Sequence, residues 1–126
     1  MKPHLTHLFL QVGSLERARW FWVDVLGLQV IQEHPGYLAV GGNGGFALGI
    51  EEAPAGQVDR GGPEFTMRVP DVDAMAVRLR SFGVETEGDP RDQPWGARHV
   101  WLRDPDGRRM SIYSIGHNQM GLPDPD

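Results

Sequence analysis

The two halves of this 126-residue sequence repeat one order of secondary-structure signals, and this repeat limits the fold more than any other feature. Each half begins with a strand, continues with a capped amphipathic helix, and ends with signals for three further strands. Sliding the first half along the second places His7 on Glu64, and a slightly larger shift places Gly49 on Ser111. The sequence therefore predicts an α+β fold made of two βαβββ modules.

Local signals mark the start and the end of both predicted helices. Ser14 precedes an apolar stripe at helical spacing and Asp71 precedes a second one, so each side chain can act as the N-cap. Gly27 and Gly83 follow the two stripes, where the left-handed backbone of a helix C-terminus favours glycine. Trp22 lies on the first stripe and is predicted to be in the core.

Strand signals surround these helices. Hydrophobic and β-branched runs bounded by turn residues predict strands over 5–12, 28–32, 37–40, 46–50, 64–69, 84–86, 99–103 and 109–113. The glycine-rich run at 41–45 predicts a hairpin turn, and so does the Asp-Pro-Asp-Gly segment at 104–107. Each half thus contains three strands after its helix.

The size of the modules predicts how they pack. A unit of roughly 55 residues buries little surface alone, so we expect the two modules to join into one domain over residues 4–115. The expected result is a curved mixed sheet around a cavity, with the helices on the outer faces. Module 1 covers about 4–53, a linker 54–61 follows, module 2 covers about 62–115, and 116–126 form a loose tail. The modules can pair within one chain or swap between chains.

Composition excludes several classes of protein. The formal net charge is −5, so nucleic acid is not an expected partner. The absence of cysteine excludes disulfides, zinc–thiolate sites and cysteine nucleophiles. No apolar run reaches the roughly 20 residues of a membrane span, and the first residues lack a signal-peptide core. We therefore expect a cytoplasmic protein that does not enter a membrane.

Three segments of the chain resemble the vicinal oxygen chelate superfamily, which includes glyoxalase I, bleomycin-resistance proteins, fosfomycin-resistance proteins and extradiol dioxygenases. They are HLFLQVGSLERARWFWVDVLGL at 7–28, EFTMRVPDVDAMAVRLRSFG at 64–83 and WGARHVWLRDPDGRRMSI at 95–112. The resemblance implies paired βαβββ modules around a cavity, usually in a homodimer. A long sheet edge and the outward aromatic side chain of Trp20 favour a homodimer as well.

The resemblance also implies where a metal would bind. Metal enzymes of this family take up to four ligands from the first and last strand of each module, and those positions here are His7, Gly49, Glu64 and Ser111. Imidazole and carboxylate bind divalent metals, whereas glycine has no side chain and a neutral hydroxyl is a poor ligand. Glu51 lies two residues beyond Gly49 on the same strand face. A Ni, Zn, Fe or Mn ion held by His7, Glu51 and Glu64 with waters is therefore one alternative.

Other side chains are expected to contact a small-molecule ligand in the same cavity. Phe9 and Gln11 share the strand face of His7, and Arg68 shares that of Glu64. Arg68 is a fixed cation that favours an anionic or carbonyl-bearing ligand. The full predicted set is Phe9, Gln11, Arg68, Trp95, Trp101, Ser111 and Tyr113.

These residues leave three functions open. The first is a small-molecule binder similar to the bleomycin-resistance branch, without a complete metal site, which stacks an aromatic or heterocyclic ligand on Trp95 and nearby rings. The second is a divalent-metal-dependent glyoxalase-like lyase or isomerase, or an extradiol-type dioxygenase, in which the metal acts as a Lewis acid. The third is an interaction domain without a ligand. The small residues Gly49 and Ser111 at two ligand positions favour the first function.

Overall fold

Each half of the chain forms one four-stranded mixed sheet and one helical segment. The computed structural model describes residues 6–41, 46–54, 64–94 and 96–115. The chain divides into two compact units, Met1–Gly61 and Gly62–Asp126, which contain modules 1 and 2. The predicted α+β fold of two βαβββ modules is confirmed. The predicted glycine turn at 42–45, the linker beyond residue 54 and the tail 116–126 lie outside the described residues.

Module 1 has the order strand, helix, strand, strand, strand. Its elements are β1 (His7–Val12), α1 (Leu15–Arg19, continued by a π-helical segment Trp20–Val25), β2 (Gln29–His34), β3 (Tyr37–Gly41) and β4 (Ala47–Glu52). The sheet order is β1-β4-β3-β2, with β1 parallel to β4 and the other neighbours antiparallel. The first and last strands of the module therefore lie side by side.

Module 2 repeats this topology. Its elements are β5 (Phe65–Arg68), α2 (Val72–Ser81), β6 (Arg91–Asp92), β7 (Ala97–Arg103) and β8 (Arg109–Ile115). The sheet order is β5-β8-β7-β6, again with the first and last strands parallel. None of the helices in the described residues combines the length and the apolar character needed to cross a bilayer.

The predicted strand at 84–86 is wrong. Only Thr86 from this segment makes a β-bridge, to Leu102, and the edge strand of module 2 forms later, at Arg91–Asp92. Gly88 has a φ of 85°, a left-handed conformation that turns the chain between the two segments. The β-branched residues at 84 and 86 predicted a strand, but the chain turns at Gly88 before a strand can form there.

The predicted helix caps are confirmed. Ser14 Oγ accepts the backbone N–H three residues further on at 3.2 Å, and Asp71 Oδ1 does the same at 3.1 Å. Gly27 and Gly83, which follow the two helices, have φ values of 83° and 77°. These four residues fix where each helix begins and ends.

The first helix differs from the prediction in its second half, which is π-helical. The backbone N–H of Leu26 bonds to the carbonyl of Phe21, five residues earlier, at 3.0 Å. The apolar residues recur every three or four positions, which predicts an α-helix, so the sequence pattern does not indicate the π segment. Trp22 is 2% exposed, which confirms its predicted place in the core.

Alternation along the strands divides each sheet into two sides. The helix-facing side carries buried apolar side chains, among them Val12, Leu38 and Ile50 in module 1 and Leu102, Met110 and Ile112 in module 2. The residues between them point to the opposite side, which we call the helix-free face of each module. These two faces carry the polar and aromatic side chains that the repeat places in register.

Candidate functional site

The helix-free face of module 1 combines side chains from three strands. In the parallel β1–β4 pairing, Phe9 lies beside Gly49 and Gln11 lies beside Glu51. In the antiparallel β3–β4 pairing, Tyr37 lies on the other side of Glu51. The pairing therefore forms a row of Gln11, Glu51 and Tyr37 next to a row that contains Phe9 and Gly49.

The ring of Phe9 packs against the backbone of Gly49. A Cβ atom added to Gly49 would lie 2.6 Å from both Cδ1 and Cε1 of Phe9, and 3.2 Å from the hydroxyl oxygen of Tyr37. Any larger residue at position 49 would therefore displace the phenyl ring. The Phe9 residue is nevertheless 55% exposed, so a large part of the ring is open to solvent.

Phe9 belongs to a series of four neighbouring rings. The centroids of His7 and Phe9 are 5.9 Å apart, those of Phe9 and Tyr37 are 6.4 Å apart, and those of Tyr37 and His34 are 6.2 Å apart. These separations are within the range in which aromatic rings interact. The series gives this face an extended aromatic surface with Phe9 and Tyr37 at its centre.

A carboxylate lies beside these rings. Glu51 is half-buried, and its Oε2 accepts a hydrogen bond of 2.8 Å from Nε2 of Gln11. The amide therefore holds one carboxylate oxygen in place without neutralising its charge. His7, at the other end of the face, is exposed, and its Nδ1 lies 2.9 Å from Oγ1 of Thr6.

The helix-free face of module 2 has the same strand register with different side chains. Thr66 lies beside Ser111 and Arg68 lies beside Tyr113 in the parallel β5–β8 pairing. Ser111 Oγ donates to Thr66 Oγ1 at 3.1 Å. The hydroxyl groups of Thr66 and Ser111 therefore hold the positions in module 2 that Phe9 and Gly49 hold in module 1.

Trp101 joins this face to a group of charged side chains. Its indole Nε1 donates to Oε1 of Glu64 at 2.8 Å, and the guanidinium carbon of Arg109 lies 5.4 Å from the centroid of its ring. Arg109 also forms an ion pair with Glu87 at 3.0 Å. This hydrogen-bonded pair lowers the pKa of the Glu87 carboxyl and raises the pKa of Arg109.

His99 stacks on two rings of the same face. Its centroid is 5.0 Å from that of Trp101 and 5.0 Å from that of Tyr113, with interplanar angles of 20° and 13°. The residue is 8% exposed. Burial lowers the pKa of its imidazole from the usual value, and the nearby Glu64 carboxylate opposes that shift only in part. Burial therefore favours the neutral form of this imidazole.

We expect the stability of the protein to fall as the pH drops below about 6.5, in part because of His99. A histidine whose pKa is lowered by folding binds its proton more tightly in the unfolded chain. The contribution of His99 to stability is complete above the pKa that it has in the unfolded chain. It is lost as the pH falls towards the lower pKa that His99 has in the folded protein. The measurement is the urea concentration at the midpoint of unfolding at several pH values. As the pH is lowered, this midpoint should decrease less in His99→Phe than in the wild type. His34→Phe is the matched control on an exposed ring, and equal decreases in all three proteins would contradict this role of His99.

The structure distributes the predicted site residues between the two faces. His7, Phe9, Gln11 and Glu51 lie on module 1, whereas Glu64, Arg68, Trp101, Ser111 and Tyr113 lie on module 2. Trp95 lies outside the described residues. That all these side chains share one cavity stays a prediction.

Sequence reasoning missed several members of these faces. Tyr37 begins a predicted strand whose pairing partners the sequence did not specify, and His99 was free to face either side of its strand. His34 lies beyond the predicted strand 28–32, which extends to His34 in the structure. The shift that places Gly49 on Ser111 also places Tyr37 on His99, so the repeat itself contained this signal. Arg109 lies two residues before Ser111, so strand alternation alone places it on the same face.

The predicted metal ligands within module 1 lie far apart on its face. His7 lies beside Ala47 in the β1–β4 register, four residues before Glu51, so the two are separated by about 13 Å along the strands. Glu64 already accepts the indole hydrogen of Trp101. The described residues contain no group of three or more His, Cys, Asp and Glu side chains suited to hold a metal ion. The donor set within either module therefore does not fit a chelated divalent ion.

Comparisons with known proteins agree with this architecture. The model of the Glyoxalase/Bleomycin resistance protein/Dioxygenase superfamily matches residues 4–112. Among solved structures, TnmS3, an antibiotic-binding protein from Streptomyces sp. CB03234, is 26% identical, with a TM-score of 0.78 over 91% of this chain and 98% of that one. A comparison with curated proteins gives no match.

Two further solved structures show the same fold. A member of the same superfamily from Sphaerobacter thermophilus DSM 20745 is 22% identical, with a TM-score of 0.74 over 90% of this chain and 98% of that one. The lactoylglutathione lyase from Agrobacterium tumefaciens is also 22% identical, with a TM-score of 0.71 over 90% of this chain and 94% of that one. At this level of identity the likeness concerns the fold and not the activity.

Proposed function

The chain belongs to the glyoxalase/bleomycin resistance protein/dioxygenase superfamily, and we propose that it binds a small molecule whose planar aromatic ring stacks on the ring of Phe9. The observation that carries this proposal is the 55% exposure of a phenyl ring held against Gly49 on the helix-free face. An exposed aromatic surface of this kind is typical of binding sites. The similarity to an antibiotic-binding protein also favours binding of a small molecule.

Physical chemistry favours an aromatic ligand on this surface. Aromatic rings interact in offset-stacked or edge-to-face geometry, and each favourable pair contributes about 0.5–1.5 kcal/mol beyond the area that it buries. Phe9 and Tyr37 are held close to Gly49, so little side-chain entropy is lost when a ligand ring packs on them. A planar ligand therefore gains most of the stacking energy without a large ordering cost.

The rings of module 2 support the same class of ligand. Trp101, His99 and Tyr113 are already stacked, and the hydrogen bond to Glu64 holds the indole of Trp101 in place. A planar molecule that packs on this surface therefore contacts rings that need no rearrangement. The proposal therefore needs no conformational change within either module.

Calorimetric titration with 2-naphthalenemethanol, a neutral planar probe, tests this function. We expect saturable binding of one or more probe molecules to the wild-type protein, and competition between this probe and other planar aromatic compounds. Naphthalene lacks adjacent oxygen atoms that could chelate a metal, so its binding reports the aromatic surface. Heats indistinguishable from dilution at the solubility limit of the probe would contradict the proposal.

Removing divalent metals is expected to leave this binding unchanged. The donor set within either module does not fit a chelated ion, whereas stacking on Phe9 involves no metal. The measurement is the same titration after dialysis against EDTA. Loss of binding that Ni²⁺ or Zn²⁺ restores would contradict the expectation, and would favour a metal-dependent lyase, isomerase or dioxygenase.

A further inference from the structure

The carboxylate of Glu51 lies in the row next to Phe9 on the helix-free face of module 1. Its register neighbours are Gln11 on one side and Tyr37 on the other, and it is a diagonal neighbour of Phe9. Diagonal neighbours in a sheet are about 7–8 Å apart, a distance that long side chains can span. A group attached to a ring on Phe9 therefore comes within reach of this carboxylate.

The hydrogen-bonding state of Glu51 leaves room for a ligand. Gln11 donates to Oε2 at 2.8 Å, and a carboxylate has about four acceptor positions on its two oxygens. The neutral amide orients the group and does not cancel its negative charge. Glu51 is thus a positioned acceptor with further bonding capacity.

The charges around Glu51 distinguish it from other glutamates. Glu33, Glu64 and Glu87 each form an ion pair with an arginine. Glu51 takes part in none of the ion pairs between described residues. The arginines of module 1 in the described ranges, at 17 and 19, lie on its helix and not on this face. The negative charge of Glu51 on the helix-free face of module 1 therefore forms no ion pair with a cationic side chain among the described residues.

The aromatic rings next to Glu51 favour the same sign of ligand charge. The face of an aromatic ring is negative, so it attracts a cation within about 6 Å of its centroid. The rings of Phe9 and Tyr37 meet above Gly49, next to the carboxylate. Rings and carboxylate together form the kind of surroundings that recognise ammonium groups.

We propose that Glu51, with the rings of Phe9 and Tyr37, forms a subsite for a positively charged nitrogen of the bound ligand. This inference rests on the proposed function, since the ligand ring that stacks on Phe9 brings the charged group to Glu51. It narrows the ligand class from planar aromatic molecules to aromatic molecules with an ammonium or similar cationic group. Arg68 and Arg109 lie on the face of module 2.

Two naphthalene probes of similar size test the subsite. One is the neutral 2-naphthalenemethanol, and the other is the cation trimethyl(naphthalen-2-ylmethyl)ammonium. Both are titrated by calorimetry into the wild type, Glu51→Gln and Glu52→Gln. Glu52 is the matched control because it is exposed, lies on the other side of the same strand, and accepts a hydrogen bond from the backbone N–H of Leu15 at 3.1 Å. Both substitutions remove one negative charge.

We expect the wild type to bind the cation about fivefold more tightly than the neutral probe. Glu51→Gln should bring the two dissociation constants together by weakening binding of the cation alone, whereas Glu52→Gln should keep the wild-type ratio. Comparing two probes on one protein makes the ratio independent of small changes in stability.

The other outcomes separate this inference from the proposed function. Equal affinities of the wild type for the two probes would overturn the subsite, and so would the same ratio in Glu51→Gln and the wild type. In either case, binding of the neutral probe would still support the aromatic site. Failure of both probes to bind would overturn the proposed function and the subsite with it.

Discussion

Replacing Asp104 with alanine is expected to lower the free energy of unfolding by about 3–5 kcal/mol. The side chain of Asp104 is buried in the turn between β7 and β8, and its Oδ2 accepts a bond of 3.0 Å from the guanidinium of Arg108, itself 4% exposed. Oδ1 accepts the backbone N–H groups of Asp106 at 3.0 Å and Arg108 at 2.8 Å. Removing this carboxylate leaves two backbone donors without their acceptor. It also removes the shorter of the two carboxylate contacts of the buried Arg108 guanidinium, which keeps the contact of 3.5 Å to Oδ2 of Asp106.

Urea denaturation measures this loss, and the chain offers a matched control. Asp89 forms an ion pair of 3.6 Å with Arg80, but both side chains are largely exposed. Asp89→Ala should therefore change stability little, because water screens such a pair. Removing Arg108 together with Asp104 should restore part of the loss, since the buried cation that has lost its closest carboxylate is then also removed. Equal stability of Asp104→Ala and Asp89→Ala would show that the buried pair has no special role.

Phe9→Ala is expected to weaken binding of 2-naphthalenemethanol by about tenfold. Stacking of one planar base on an aromatic side chain contributes about 1–3 kcal/mol by alanine substitution, and about 1.4 kcal/mol is a factor of ten in the dissociation constant. The stability of the fold should change little, because Phe9 is on the exposed face of its strand. Calorimetry gives the affinity, and a urea curve shows that the variant remains folded.

Phe82→Ala provides the comparison for this experiment. Phe82 is a second exposed phenylalanine, 38% accessible, but it lies at the end of α2 and not on the helix-free face of its module. The probe should bind this variant as it binds the wild type. Equal weakening in Phe9→Ala and Phe82→Ala would indicate non-specific binding of naphthalene to exposed rings and would contradict the proposed site.

The repeat in the sequence predicted the fold, and it indicated which residues of the two modules hold equivalent positions. Equivalent positions in the two modules are related by one sequence offset in the first strand and a slightly larger one in the last strand. These offsets map the pair Phe9–Gly49 onto the pair Thr66–Ser111. Both pairs are formed in the structure, each in a parallel pairing of the first and last strand. Because side chains alternate along a strand, knowing one residue of a face identifies the others. This is why Gln11 and Glu51 could be placed on one face from the sequence.

Other parts of the site could not be predicted, since they depend on contacts distant in sequence. The ion pair of Arg109 with Glu87 requires the path of the segment after α2, which the sequence assigned to a strand. The burial of His99 depends on its stacking with Trp101 and Tyr113 across two strands. Periodicity shows which residues share a face, but the side-chain partners on that face follow from the three-dimensional packing.

The central claim, that a planar ligand stacks on Phe9, is tested most directly by nuclear Overhauser effects between a bound probe and the protein. With 2-naphthalenemethanol and the wild type, we predict cross-peaks from the naphthalene protons to the ring protons of Phe9 and Tyr37 and to the Cα protons of Gly49. At the same probe concentration, the cross-peaks to Tyr37 and Gly49 should weaken in Phe9→Ala, in line with its lower affinity. Cross-peaks confined to residues outside the helix-free faces, such as Trp20 on the helical segment of module 1, would contradict the claim.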